Sequence, residues 1–125
     1  MNLRRTIALA ILPAVAALVT GCGGGGSDST PTPVVNISGL NSTSTLNRTD
    51  QYSITIGGSG NNVTIAASNT VVELTISGQN NIVNLANTAT IQSIKFSGSG
   101  NIVSVPTGYS TSVSDTGLNN RVIQR

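Results

Sequence analysis

The sequence predicts an all-β chain, a parallel β-solenoid (β-helix) of about four to five coils, each of roughly 19–20 residues, and three observations carry that expectation. Similar residues return every 20 positions: Asn61, Asn81 and Asn101 are each followed two residues on by Val63, Val83 and Val103, and four residues on by Ile65, Leu85 and Val105. Gly58, Gly78 and Gly98 keep the same step. A fixed period of that length marks an array of stacked units rather than one closed globular core. Within each unit apolar residues alternate with Ser, Thr and Asn, as in Ile54-Thr55-Ile56 and Val63-Thr64-Ile65. That is the period of two expected of strands with one buried face, and helical periodicity is missing from the repeats. Composition agrees, because 14 glycines, two tyrosines, one phenylalanine and no tryptophan leave only an aliphatic, thin core. Units so short cannot each enclose a core, but stacked as coils they pair strand upon strand and share one interior. The winding is expected to be right-handed.

Residues 1–21 read as a secretory signal. Arg4 and Arg5 precede an apolar run at 7–19, which is too short for a membrane-spanning helix. The run ends in Val19-Thr20-Gly21-Cys22, which resembles the lipobox of bacterial lipoproteins. The resemblance implies that the Cys22 thiol receives a diacylglyceryl group, that the signal is cut before it, and that the new amino terminus is acylated. Cys22 would then be the first mature residue and the lipid anchor to an envelope membrane. Absence of Asp directly after Cys22 resembles sorting to the outer membrane where the envelope has two, leaving the domain periplasmic or surface-exposed. Cys22 is the single cysteine and the chain has no histidine, so neither a disulfide partner nor an activating base stands in the sequence. Residues 22–33 hold the cysteine and a tether, GGGGSDSTPTP, flexible where glycine-rich and stiffer at its prolines.

The solenoid is expected over 34–125. A faint first copy holds Val35, Ile37 and Gly39, which precede Ile54, Ile56 and Gly58 by one position less than the full period. A faint last copy holds Gly117, Asn120 and Val122, which follow Gly98, Asn101 and Val103 at the same shortened step. Two strands per coil are expected, in the columns of Ile54 and of Val63, with a short third strand at 70–72 and 90–92 where Val71 and Ile91 align. The G-S-G and S-G-Q segments turn the corners, since glycine tolerates the positive φ of tight turns. Alternation places Asn61, Asn81, Asn101 and Asn120 inward with the valines that follow them. Stacked about 4.8 Å apart, each amide can donate to one neighbour and accept from the other. A plainer alternative has Asn and Gly simply marking exposed left-handed turns.

The repeats G-S-G-N-N-V-T-I, G-Q-N-N-I-V-N-L and G-S-G-N-I-V-S-V resemble the G-S-x-N-x-V-x-[IV] units of an uncharacterised domain-of-unknown-function family of small secreted or lipid-anchored bacterial proteins. The likeness covers about 35–122 and implies a β-solenoid but no activity. Larger β-helices include polysaccharide lyases, from which this chain departs in being far shorter and in lacking a cluster of acidic and basic residues.

Chemistry-bearing residues are sparse. No paired carboxylates, no Ser-His-Asp set, no Cys/His metal spacing and no phosphate loop with its lysine stand in the sequence, so no catalytic residue, metal or cofactor is expected and the chain is read as no enzyme. Glu73 and Lys95 fall on outward positions of adjacent coils, as a diagonal, solvated ion pair. Asp115 takes the column of Ile56, Ile76 and Phe96 and, with Arg121 and Arg125 near, reads as a polar cap on the last coil. Beyond the signal, Arg48, Lys95, Arg121 and Arg125 balance Asp28, Asp50, Glu73 and Asp115, which removes electrostatic support for nucleic-acid binding. Thr55, Thr75 and Lys95 on one face, and Thr64, Asn84 and Ser104 on another, form a regularly spaced polar surface that could contact a glycan or equally be solvated. The sequence thus points to a lipid-anchored envelope protein of structural or adhesive role, whose partners are the membrane through Cys22 and a glycan or another envelope protein. The alternatives are a glycan-binding module on the outward ladder and, third, a small polysaccharide-acting enzyme.

Overall fold

Ten short strands alternate between two parallel sheets, so that each coil gives one strand to each. The computed structural model describes residues 30–125; the signal, Cys22 and the tether as far as residue 29 lie outside the described residues. One sheet holds β1 (Val34–Ile37), β3 (Tyr52–Ile56), β5 (Thr70–Ile76), β7 (Thr90–Phe96) and β9 (Ser112–Asp115), in that order. The other holds β2 (Thr43–Leu46), β4 (Asn62–Ile65), β6 (Ile82–Leu85), β8 (Ile102–Val105) and β10 (Arg121–Gln124), likewise in coil order. Every pairing is parallel and joins successive coils, which makes a β-solenoid of about five turns.

The register follows the sequence period. Val35, Ile54, Leu74, Ile94 and Val113 stack in one column, and Val63, Val83, Val103 and Val122 in another. Alternation within β4 and β6 buries Val63, Ile65, Val83 and Leu85 while Asn62 and Ile82 stay exposed. The core is the narrow space between the sheets, filled by aliphatic side chains with Tyr52 and Phe96 as its aromatics. Each fully buried Val, Leu or Ile contributes about 1.5–3 kcal/mol, and β-branched residues suit the pleated surface they line.

The third strand expected at 70–72 and 90–92 does not exist separately. Those residues are the first halves of β5 and β7, each seven residues long. Val71 and Leu74 are both buried although three positions apart, so the inward alternation slips by one residue between them. In the preceding coil a single residue, Ser53, stands between the inward Tyr52 and Ile54, and the register shifts there. This accounts for the shortened step from Val35 to Ile54: one residue is missing, and the larger Tyr52 side chain fills the column that Val71 and Ile91 continue. A third line of contact does run along the solenoid, but elsewhere, as single bridges Leu40–Ser59–Gln79–Ser99–Leu118 at the corner between the sheets.

Two different rules govern that corner. Gly58, Gly78, Gly98 and Gly117 do not need a positive φ; a Cβ on any of them would overlap the carbonyl oxygen of the glycine one coil earlier. Coil-to-coil approach, not turn conformation, selects glycine there, whereas the positive φ expected of the G-S-G corners is found at their closing glycines, Gly60 and Gly100. The left-handed position is two residues on, and it alternates Asn41, Gly60, Asn80, Gly100, Asn119, all with φ between 51° and 69°. A side chain at Gly60 would strike Asn41 Oδ1, and one at Gly100 would strike Asn80 Oδ1. The two residues that best tolerate this conformation therefore take turns, because each asparagine amide occupies the space above its own coil.

Candidate functional site

The most ordered polar feature is the amide column inside the corner. Asn61, Asn81 and Asn101 are buried, at 0–1% exposure. Asn61 Nδ2 donates to Asn81 Oδ1 at 3.1 Å, Asn81 Nδ2 to Asn101 Oδ1 at 3.0 Å, and Asn101 Nδ2 to Asn120 Oδ1 at 2.9 Å. Each amide also donates its second proton to a glycine carbonyl: Asn61 to Gly39, Asn81 to Gly58, Asn101 to Gly78 and Asn120 to Gly98, at 2.8–3.0 Å. Each Oδ1 in turn accepts a backbone N–H, as Asn81 Oδ1 does from Asn61 at 3.0 Å. No buried side-chain nitrogen or oxygen among the described residues lacks a partner. Turn and ladder, alternatives for one asparagine in the sequence, fall to neighbours: Asn80 takes the left-handed turn and Asn81 the ladder.

The column has a direction, since every rung donates toward the C-terminal end, and its ends are chemically different from its middle. Ser42 occupies the first position and donates from Oγ to Asn61 Oδ1 at 2.6 Å. At the other end Asn120 Nδ2 needs an acceptor, and Asp115 Oδ1 supplies it at 2.9 Å while also accepting from the Gly117 N–H at 2.8 Å. Asp115 does continue the column of Phe96. Its partners are Asn120 and Gly117, not Arg121 or Arg125, because an acceptor is what the last donating amide lacks.

Arg125 has a different task. In successive coils Ala66 N–H donates to Leu46 O and Ala86 N–H to Ile65 O, but the next position is Pro106, which has no N–H. The carbonyl so orphaned, Leu85 O, accepts from Arg125 Nη2 at 2.7 Å. A similar substitution closes the other side of the last coil. Tyr109 hydroxyl donates to Ile91 O at 2.9 Å and accepts from Ile91 N–H, and Thr111 Oγ1 also donates to Ile91 O at 2.8 Å. Sequence reasoning missed both, although Pro106 in the column of Ala66 and Ala86 was a visible signal. It also missed Asn69, buried at 1% exposure, whose Oδ1 accepts from Tyr52 hydroxyl at 2.9 Å and Arg48 N–H at 2.8 Å. Burial raises the Tyr52 phenol above its ordinary pKa.

The outward columns are where the register puts them, yet they are not one uniform surface. Thr55, Thr75 and Lys95 stack in one column, and Thr64, Asn84 and Ser104 in another. Lys95 Nζ lies 2.6 Å from Glu73 Oε2, the two side chains being 55% and 37% exposed. The hydrogen bond from Lys95 holds the Glu73 carboxyl below its ordinary pKa. Ser104 is only 5% exposed, and Asn84 Nδ2 donates to Asn62 Oδ1 at 3.1 Å. Near the N-terminal end Arg48 makes a two-pronged contact with Asp50, at 3.0 and 2.9 Å, and its guanidinium lies 5.4 Å from the Tyr52 ring centroid. The hydrogen bond to Arg48 lowers the Asp50 pKa.

Over the glycine corner runs an open groove, in two stretches of about 320 and 390 Å³ that share Ser77 and Gln79. Among the described residues no three His, Cys, Asp or Glu side chains gather in one place. The chemistry on offer is hydrogen bonding from regularly spaced hydroxyls and amides. Compared with known proteins, the chain matches no family model, no curated protein and no solved structure. What fold and site define is a class alone, a short parallel β-solenoid with an internal amide ladder and dissimilar ends.

Proposed function

We propose that this chain is a lipid-anchored protein of the bacterial cell envelope, held to a membrane through Cys22 and serving a structural or adhesive role rather than a catalytic one. One observation carries the reading: Val19-Thr20-Gly21-Cys22 closes an apolar run, and a glycine- and proline-rich stretch then leads directly into β1 at Val34. That order suits a rigid rod spaced from a lipid surface by a short tether. Supporting it, the charged side chains on the solenoid other than Arg121 are engaged within the fold: Arg48 with Asp50, Lys95 with Glu73, Asp115 with Asn120, and Arg125 with Leu85 O. On this reading the outward Thr55 and Thr75 on one face, and Thr64 on the other, are the positions offered to an envelope glycan or another envelope protein.

The anchor is tested in a bacterial host. The wild-type chain should partition into detergent and take up a palmitate analogue, and Cys22→Ser should do neither. Label retained by the serine variant would remove the lipoprotein reading.

A further inference from the structure

The two ends of the solenoid differ in the residues that close the ladder, but both are open strand edges. Among the described residues β1 pairs only with β3 and β2 only with β4, while β9 pairs only with β7 and β10 only with β8, so each end presents two strands with one unpaired edge. Such edges are templates for further strands. Exposed large hydrophobics gather at the same places: Val34 and Leu40 in the first coil, Val113, Leu118 and Ile123 in the last, with Ile82 the one exception among the described residues. Leu40 and Leu118, at 75% and 71% exposure, stand at opposite ends of a single corner column whose inner members are Ser59, Gln79 and Ser99.

We propose that the last coil is shaped to receive the first coil of a second copy of this chain, head to tail, and that Asp115 is the side chain that holds this docking off. Continuing the existing register would pair β9 with β1 of the second copy and β10 with its β2. Leu118 would then lie on Leu40, and Val113 on Val35. The amide ladder has the polarity for it. Every rung donates toward the C-terminal end, so Asn120 would donate to Ser42 Oγ of the second copy, and that hydroxyl already passes its own proton to Asn61 Oδ1. A hydroxyl accepts and donates at once, which makes Ser42 a fitting first rung.

Asp115 opposes the junction twice. It takes the Asn120 proton that Ser42 would need, and it sets a carboxylate in the column of Ile37, Ile56, Ile76 and Phe96, against which Ile37 of the incoming coil would close. Closing an isoleucine over the carboxylate strips its water, and the two neutral donors on Oδ1 supply no opposite charge to offset that loss, which disfavours the contact. The rod therefore ends, although its geometry could continue.

Cross-linking decides the matter in the full chain carrying Cys22→Ser, which leaves no native thiol. Leu40→Cys and Leu118→Cys are introduced together; stacked in the corner column of neighbouring coils, about 4.8 Å apart, they meet the distance a disulfide requires. With Asp115 in place the chain should remain a single species on a non-reducing gel. Asp115→Ile should yield a series of disulfide-linked multimers at least tenfold above that background, and Asp115→Asn, which removes the charge but keeps an acceptor, a smaller series. The pair Thr64→Cys with Leu118→Cys, out of register, should link neither. Circular dichroism shows which variants keep the strand content, and Asp115→Asn carries the test if the isoleucine variant does not fold. Folded variants that stay unlinked would overturn the docking surface. Equal linking with Asp115 present would overturn its role as the barrier, and linking through position 64 would overturn the register.

Discussion

The inner coils, β3 to β8, and the outer strands β1, β2, β9 and β10 are built from the same columns by different means. Inside, one rule repeats: an asparagine bonds to an asparagine, a valine lies on a valine, and backbone N–H groups pair with acceptors of the neighbouring coils at a constant step. Toward the ends each of these is replaced by something that does not repeat. Ser42 and Asp115 terminate the amide ladder, Arg125 stands in for the N–H that Pro106 lacks, and Tyr109 satisfies Ile91 where the strand pairing has stopped. Propagation needs only small, uniform residues, because every coil offers the next an identical surface. Termination needs individual chemistry, because each column ends with its own unsatisfied group. Disturbing a column should accordingly cost most inside and least outside.

The largest contrast should come from glycine. Gly78→Ala would drive a Cβ into the carbonyl oxygen of Gly58, and a backbone atom cannot turn aside as a side chain can. The coils must part at the corner that also carries the ladder, with a loss of about 3 kcal/mol or more. Gly108→Ala, in the last coil, meets nothing within 4 Å although its φ is +79°. It should cost only the strain of the left-handed conformation, about 1 kcal/mol. Denaturant melts of the two variants measure the difference, and similar losses would mean that close coil approach does not select glycine at position 78.

Next comes the ladder itself. Asn81→Asp removes the donors to Asn101 Oδ1 and to Gly58 O and leaves acceptor facing acceptor in a dry interior. We expect a loss of about 3 to 4 kcal/mol at neutral pH. Burial raises the pKa of the introduced carboxyl in the folded state above its unfolded value, so the unfolded chain loses its proton first as pH rises. Destabilisation is therefore smallest in acid, where a protonated carboxyl donates again, and grows as pH rises through that window. Asn84→Asp makes the same change on the outward face, where water solvates the charge, and should cost below about 1 kcal/mol at either pH. Equal losses at the two positions would contradict the inward ladder.

How much of this was legible follows from the same contrast. Period and alternation were enough to align Asn61, Asn81, Asn101 and Asn120, to place Val35 under Ile54 and Val122 over Val103, and to pair Glu73 diagonally with Lys95, because stacking turns equal spacing directly into contact. What failed were inferences from one residue's usual habit. Glycine was read as a turn former throughout, which holds at Gly60 and Gly100, whereas at Gly58 and Gly78 it is the residue that lets backbones touch. Val71 and Ile91 were read as a separate strand because they align across coils, whereas the slip between Val71 and Leu74 lets one continuous strand hold both. The partners of Asp115 and Arg125 were invisible for another reason: they compensate for singular events, the last amide and Pro106, and a singular event has no period. Cys22 and the signal before it lie outside the described residues, so the anchor still rests on its motif.

The Pro106 compensation gives a smaller, sharper test. Arg125→Ala should leave Leu85 O without a donor and cost about 1 to 2 kcal/mol. In a Pro106→Ala background the restored N–H can take the place that Ala86 N–H takes one coil earlier, 3.0 Å from Ile65 O, and the same arginine change should cost less than about 0.5 kcal/mol. The cycle removes the effect of proline on the unfolded chain, which is common to both pairs. Additive losses would show that Arg125 stabilises the last coil by some route other than the vacant hydrogen bond.

The smallest effect belongs to the outer face. Glu73→Gln keeps the shape of the side chain and its hydrogen-bonding reach toward Thr75, and removes only the charge opposite Lys95. Both partners are substantially exposed, so the pair contributes below about 0.5 kcal/mol and less in high salt. Its sign is still fixed. The Lys95 hydrogen bond lowers the Glu73 pKa in the folded state, so the contribution is present above the unfolded carboxyl value and fades as pH falls through the lower, folded one. Wild type and Glu73→Gln should thus converge in acid and separate slightly at neutral pH, and adding salt should close the gap. A gap that grew in acid, or one comparable with that of Asn81→Asp, would mean that this outward pair stabilises the coils as the inner columns do and that the division between them is misplaced.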